Sequence, residues 1–396
     1  MKRHSGYTFA CTVLFLVFIF SLTLWPGLAS AGLEPQGESL GAGPMLILHA
    51  GQMNGGSPLQ VLAPELILQT AETQTANINV TYKGEWPAEA KIALEYAKNI
   101  WQSQLSSPVA IVLVASWEDL SKYGAGVLGA ASAADYWRDF PGAPFPGTWY
   151  PVALVNTLAG KDLNDTDGED LDGDGQDVDP EIKASFNSRF TYNGQSGWYF
   201  GIDGKVDSQH YDFVSVALHE IGHGLGFSGS MVVSGTSGSW GSASNSGVLP
   251  PYYPFIFDRF AINAAGQSLI DSNLFPNPST TLGLELTSSN LFFNSQRAKA
   301  ANNGVPPKLF APNPWKQGSS FSHLDEITFP KGSGNALMTP NLSNGEAVHV
   351  PGPIAMGMLY DMGWPAPPPV PVITPKAYLP LLAKQGTAGP AASSTR

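Results

Sequence analysis

From Tyr211 to Gly229 the chain reads YDFVSVALHEIGHGLGFSG, and this stretch sets the reading of everything around it. Val214, Val216, Ala217, Leu218, Ile221 and Leu225 give a packing surface at helical spacing, which predicts a helix over about Tyr211 to Leu225. Residues four apart on a helix share a face, so His219 and His223 can offer both imidazoles to one metal ion. Glu220 lies one residue on and reaches a metal-activated water rather than the metal, the place of a general base in peptide hydrolysis. Gly222 and Gly224 would each weaken a helix by about 1 kcal/mol, so they predict that another part of the chain approaches the backbone closely.

Upstream, Ile78-Asn79-Val80-Thr81-Tyr82 alternates as a strand. Pro87 then opens a helix in which Ile92, Ala93, Tyr96, Ala97, Ile100 and Trp101 recur at helical spacing. Pro108 to Val114 and Val152 to Val155 read as strands, so a mixed sheet backed by a helix is expected. Downstream, Ser228 to Gly247 is a Gly/Ser-rich loop, Pro251 to Leu324 is irregular with short apolar elements, and Gly352 to Met362 is a short closing helix.

The chain has 396 residues, 43% hydrophobic and 13% charged, with 32 acidic against 20 basic side chains. A net charge of −12 gives no electrostatic reason to bind nucleic acid or an anionic membrane surface. Residues 1–31 read as a signal peptide. Lys2 and Arg3 are followed by an apolar run from Phe9 to Leu24, too short to span a bilayer, and then by Ala29-Ser30-Ala31. Cleavage there removes Cys11, the one cysteine, and leaves an exported chain of charge −14 with no later segment that spans a membrane. Residues 32–75 are a lead-in, an extra strand or a propeptide, 76–364 the catalytic domain, and 365–396 a Pro/Ala-rich tail.

His219 to Gly229 resembles the metzincin zinc-peptidase signature HExxHxxGxxH. Gly226 stands at the glycine that turns the chain back toward the metal, and Gly229 stands where the third histidine usually lies. Ala336-Leu337-Met338-Thr339-Pro340 resembles the Met-turn. Leishmanolysin-like metzincins have HExxHxxGF, a long insertion and then the third histidine shortly before that turn. This chain is similar: Gly226-Phe227, about ninety residues, Phe321-Ser322-His323-Leu324-Asp325-Glu326, then Met338.

The resemblance covers roughly Ile78 to Trp364. It implies an α+β fold: a metzincin-like catalytic domain with a twisted mixed sheet, a backing helix, an active-site helix and a loop-rich C-terminal subdomain. It further implies a Zn2+ ion held by His219, His223 and His323 above Met338; Asp325 or Glu326, close to His323 in sequence, is expected to support an imidazole. The implied activity is that of a monomeric, secreted or cell-surface zinc endopeptidase acting on protein or peptide substrates. A mature chain without cysteine cannot use cysteine-switch latency.

Two other readings stay open. Asp258, in FIFDRF, is the alternative third ligand of an aspzincin-like site; against that, Phe257 and Phe260 beside it read as core and Arg259 offers it an ordinary ion pair. The other is a calcium-dependent secreted binding or surface protein with a vestigial zinc site. The calcium expectation comes from the acidic stretch DLNDTDGEDLDGDGQDVD, Asp162 to Asp179. Within it Asp170, Asp172, Asp174 and Gln176, with Gly175 at the turn and Glu181 closing, fit the spacing of an EF-hand loop for Ca2+ without its flanking helices.

Overall fold

The computed structural model describes residues 37–51, 58–62, 76–165, 179–241 and 252–368. The signal segment, the loop positions Asp170, Asp172, Asp174 and Gln176, and the tail beyond residue 368 lie outside the described residues. Among those described, the fold is mixed α and β, built on a six-stranded mixed sheet.

Besides the short strand Glu38–Ser39, the lead-in contributes β1 (Leu46–Gly51) and β2 (Leu59–Val61). The expected strand at Ile78 is β3 (Ile78–Lys83), followed by helix α1 (Ala88–Gln104) and strand β4 (Ile111–Glu118), with β4 parallel to β3. The apolar stripe of α1 differs from the expected one: Ile92 is 60% exposed, and Ala90 and Leu94 are buried beside Ala93, Ala97, Ile100 and Trp101. The small alanines let α1 lie close to its neighbours, and Trp101 Nε1 donates to the Leu218 carbonyl at 2.9 Å.

Strand β5 (Val127–Ala133) is wholly buried. Val152 to Val155, expected as a strand, belongs instead to helix α2 (Val152–Ala159). Pro151 precedes its first turn and Gly160, at φ +64°, ends it. A short apolar run carries no periodicity that separates a buried strand from a buried helix, so the two end signals decide. Strand β6 (Ile182–Asn187) then enters the sheet between β5 and β4.

Helix α3 (Phe213–Gly224) carries the histidines and is buried along its whole length. Tyr211 and Asp212, expected inside it, form a short strand with Trp198–Tyr199, and Asp212 becomes the N-cap, accepting from Ser215 N at 2.8 Å. A carboxylate satisfying a free N–H of the first turn is worth about 1 kcal/mol. The loop after the helix holds a small hairpin, Val232–Ser234 with Ser237–Ser239. Short strands and helices fill residues 261–309 as expected.

Strands β7 (Asn341–Ser343) and β8 (Glu346–Val348) follow, and helix α4 (Pro353–Met362) is the last element among the described residues. The sheet order is β7-β1-β5-β6-β4-β3. β1 is antiparallel to β5 and parallel to β7, and β8 pairs in parallel with β2. Behind the histidine helix, Trp364 Nε1 donates to the Leu225 carbonyl at 2.9 Å. No helix among the described residues is long and apolar enough to cross a membrane.

Candidate metal centre

Both glycines of α3 face close approaches. A Cβ on Gly224 would lie 2.2 Å from Ile182 Cγ2 in β6. One on Gly222 would lie 2.9 Å from Met338 Sδ and 3.2 Å from Trp101. Met338 is therefore packed directly against the helix that bears His219 and His223, and it is fully buried. After Leu225 the chain turns through Gly226 at φ +109°, where a Cβ would meet Pro151 at 2.6 Å. That turn sends Phe227 back beneath His223.

The structure brings His219, His223 and His323 together, all buried. Their Nε2 atoms form a triangle with sides of 2.9, 3.1 and 3.3 Å. Each Nδ1 lies against a backbone carbonyl: Leu337 for His219 at 2.6 Å, Phe227 for His223 at 2.7 Å and Ser319 for His323 at 2.6 Å. A carbonyl only accepts, so each Nδ1 carries the proton and each neutral Nε2 presents a bare lone pair. Three lone pairs facing one another within 3.3 Å repel unless a cation sits among them. Tetrahedral ligands about 2.0–2.1 Å from zinc stand about 3.3 Å apart, so the triangle fits such an ion.

Burial also keeps the rings neutral. His219 is pushed down to about 4 by desolvation, and His223 and His323 well below the usual histidine range by desolvation and by the neighbouring imidazoles.

His323 arrives on a loop tied to the Met338 turn, since Leu324 N donates to the Met338 carbonyl at 2.8 Å. Two residues earlier Phe321 adopts φ +72°, unusual for a bulky side chain. Its ring fills the space beside Gly229, where a Cβ would be 2.1 Å from Phe321 Cε1. No side chain fits at position 229, and the loop carrying His323 occupies that side of the site instead. Gly229 N donates to Ser322 Oγ at 3.0 Å, joining the two segments.

Glu220 is fully buried, and burial raises its carboxyl far above the usual range, with the Leu48 N–H pulling more weakly the other way. Neither carboxylate oxygen completes a well-formed hydrogen bond. A Cβ on Gly129 in β5 would lie 2.5 Å from Glu220 Oε1, so this glycine makes room for the carboxylate.

The expected supports of the imidazoles are corrected. Asp325 accepts from Thr328 N at 3.0 Å and Oγ1 at 2.6 Å, and Glu326 from Asn341 Nδ2 at 2.6 Å. Backbone carbonyls hold the rings, and main-chain atoms leave no residue-type signal in a sequence. Asp258 lies close by but is engaged, accepting from Ser230 N at 2.9 Å, from Ser230 Oγ and from Phe255 N at 2.8 Å. Arg259 is not its ion-pair partner; its guanidinium donates to Thr148 Oγ1 at 3.2 Å and lies over Phe145. His349, in the chain beyond the Met338 turn, pairs with the helix cap: its Nε2 is 2.8 Å from Asp212 Oδ2, with both side chains buried.

Of the expected calcium ligands, only Glu181 is described. Its side chain turns inward at the start of β6, accepting from Val112 N at 2.5 Å and Asn156 Nδ2 at 2.9 Å. The same Asn156 Nδ2 faces Asp162 Oδ1 at 2.9 Å and Asn164 Oδ1 at 2.7 Å. Burial, with Asp162 adding to it and the Val112 N–H opposing it, pushes Glu181 up to about 8.

No protein-family description, curated protein or solved structure matches this chain.

Proposed function

We propose that the chain is a secreted zinc-dependent endopeptidase with the metzincin, leishmanolysin-like arrangement. The observation that carries this reading is the triangle of bare Nε2 atoms of His219, His223 and His323 on a buried helix that also bears Glu220. Three neutral imidazoles with one position left open suit a catalytic divalent ion, and nitrogen ligands of this kind favour zinc over hard cations. Zinc bound there supplies a Lewis acid for the scissile carbonyl and makes a water acidic near neutral pH.

The chain's own residues supply the rest. The carbonyls of Leu337, Phe227 and Ser319 hold the imidazoles in one tautomer and one orientation. Glu220 takes the proton of the attacking water and returns it to the leaving amine. Met338 forms the floor against which the helix is held, and Gly222 lets it approach the helix backbone. The acidic stretch ending at Glu181 is a calcium loop in this reading. Asp258 does not serve as third ligand, because donors already take up its carboxylate oxygens.

The test is zinc content together with casein or gelatin hydrolysis, each with and without phenanthroline. One bound zinc and chelator-sensitive hydrolysis are expected. A metal-free protein, or hydrolysis indifferent to the chelator, refutes the reading.

A further inference from the structure

A cavity lies beside the first turn of the histidine helix, outside the metal centre. Phe213, the first residue of α3, packs edge to face with Trp198 at 5.4 Å and with Trp117 at 5.7 Å between ring centres. It stands six residues before His219, about 9 Å along the helix axis. Trp117, near the end of β4, and Trp198 line the cavity together with Phe190 and Phe200. Its volume is about 400 Å³, within the range of small-molecule pockets. A hairpin, Thr191–Tyr192 with Gln195–Ser196, contributes one wall, and Gly197 after it leaves the room that Phe190 fills.

The walls carry two kinds of group. Trp117 is tilted 47° to Trp198 and 56° to Phe200, so these rings are not stacked on one another and keep face area for the cavity. An aromatic face is electron-rich and attracts the C–H face of a sugar ring. Around the rings stand the hydroxyls of Ser188, Thr191 and Ser196 and the guanidinium of Arg189. Among the described residues nothing hydrogen-bonds to those hydroxyls or to the Trp117 indole N–H. No carboxylate lines the cavity. Asp119 senses the Arg189 charge, but its carboxylate accepts from Ser121 N at 2.8 Å.

Flat aromatic faces, hydroxyls at the rim and one guanidinium match a pyranose ring that bears a carboxylate. The ring's C–H face meets the indole, its hydroxyls meet the serine and threonine groups, and its carboxylate takes the planar fork of Arg189 in a bidentate pair. A net charge of −12 exerts no long-range pull on a polyanion, so the match is to a single acidic sugar met at contact range.

We propose that this cavity is a glycan-binding site for a uronic acid residue, with Trp117 as the stacking platform and Arg189 as the partner of the sugar carboxylate. The site is separate from the three histidines, and it stands whether or not the chain is a peptidase.

The test titrates the full chain with glucuronosyl-xylose, with the methyl ester of the same disaccharide and with decaproline, followed by tryptophan fluorescence and calorimetry. The acid should bind saturably and the ester about 10-fold more weakly, because the ester cannot form the charge-assisted pair with Arg189. Arg189→Ala changes an exposed side chain and should bind acid and ester alike, at about the affinity of the parent for the ester. Trp117→Ala should weaken both sugars about 10-fold. Should that variant fail to fold, the comparison of acid and ester in parent and Arg189→Ala decides by itself.

No saturable binding of either sugar, equal affinity of the parent for acid and ester, or an unchanged preference in Arg189→Ala overturns the proposal. Binding of decaproline in place of the sugars assigns the rings to a proline-rich peptide and overturns it as well.

Discussion

Glu181→Gln tests whether a buried carboxylate at the head of β6 opposes folding until a cation meets it. Glu181 is fully buried, and its carboxyl is pushed up from 4.5 to about 8 chiefly by desolvation. Between those values the folded chain keeps a proton that the unfolded chain has lost. The folded state therefore binds more protons, and stability falls as pH rises through this window. At about 1.4 kcal/mol per unit, the rise from pH 4.5 to pH 7 costs about 3 kcal/mol. Glutamine removes the charge but keeps one acceptor where Glu181 has two, losing a hydrogen bond worth about 1 kcal/mol. In a calcium chelator at pH 7 the variant should thus gain about 2 kcal/mol, or about 3 °C in Tm for a domain of this size. At pH 5, only half a unit above the unfolded carboxyl's 4.5, the burial cost is about 0.7 kcal/mol, and the lost hydrogen bond offsets it, so the gain should vanish.

Thermal unfolding followed by circular dichroism at the two pH values measures this. A variant that gains nothing at pH 7, or gains equally at both pH values, refutes the burial argument. Millimolar calcium supplies the second arm. A cation bound by the loop and Glu181 stabilises the ionised carboxylate by mass action, so calcium should raise the Tm of the parent more than that of Glu181→Gln.

Glu220→Gln should keep its zinc, since the side chain is not a ligand, and lose about 10²–10⁴-fold in hydrolysis rate; full activity in zinc-loaded variant protein counts against a general base. His323→Ala should lose both zinc and hydrolysis, whereas Asp258→Asn should retain zinc, as read by atomic absorption on dialysed protein. The reverse pattern would move the third ligand to Asp258. Gly224→Ala should destabilise the chain despite the better helix propensity of alanine. Overpacking against Ile182 costs about 1–3 kcal/mol and exceeds the roughly 1 kcal/mol gained. Urea unfolding decides it, and a stabilised variant would show that β6 yields.

The HExxH spacing, Gly226 and the glycines inside α3 were legible in the sequence because each reports a local rule. Four residues make one helical turn, a positive φ selects glycine, and a glycine inside a helix marks a close neighbour. Resemblance supplied His323, a hundred residues from His223, and packing decided how it is held. Phe321 fills the space at Gly229, and carbonyls of Leu337, Phe227 and Ser319 orient the rings. Main-chain acceptors are alike in every residue, so composition cannot point to them. Val152 to Val155 is helical because of its flanking Pro151 and Gly160, and the stripe of α1 turned away from Ile92 because α3 and the sheet chose the face. Asp325 and Glu326, nearest to His323 in sequence, face other partners. The lead-in shows the limit most clearly. Met45 to Leu48 reads as one apolar patch among glycines, and nothing local says which strands will take it. Strand pairing is a long-range match of backbone donors and acceptors, so only the assembled sheet could place β1 between β5 and β7, beside Glu220.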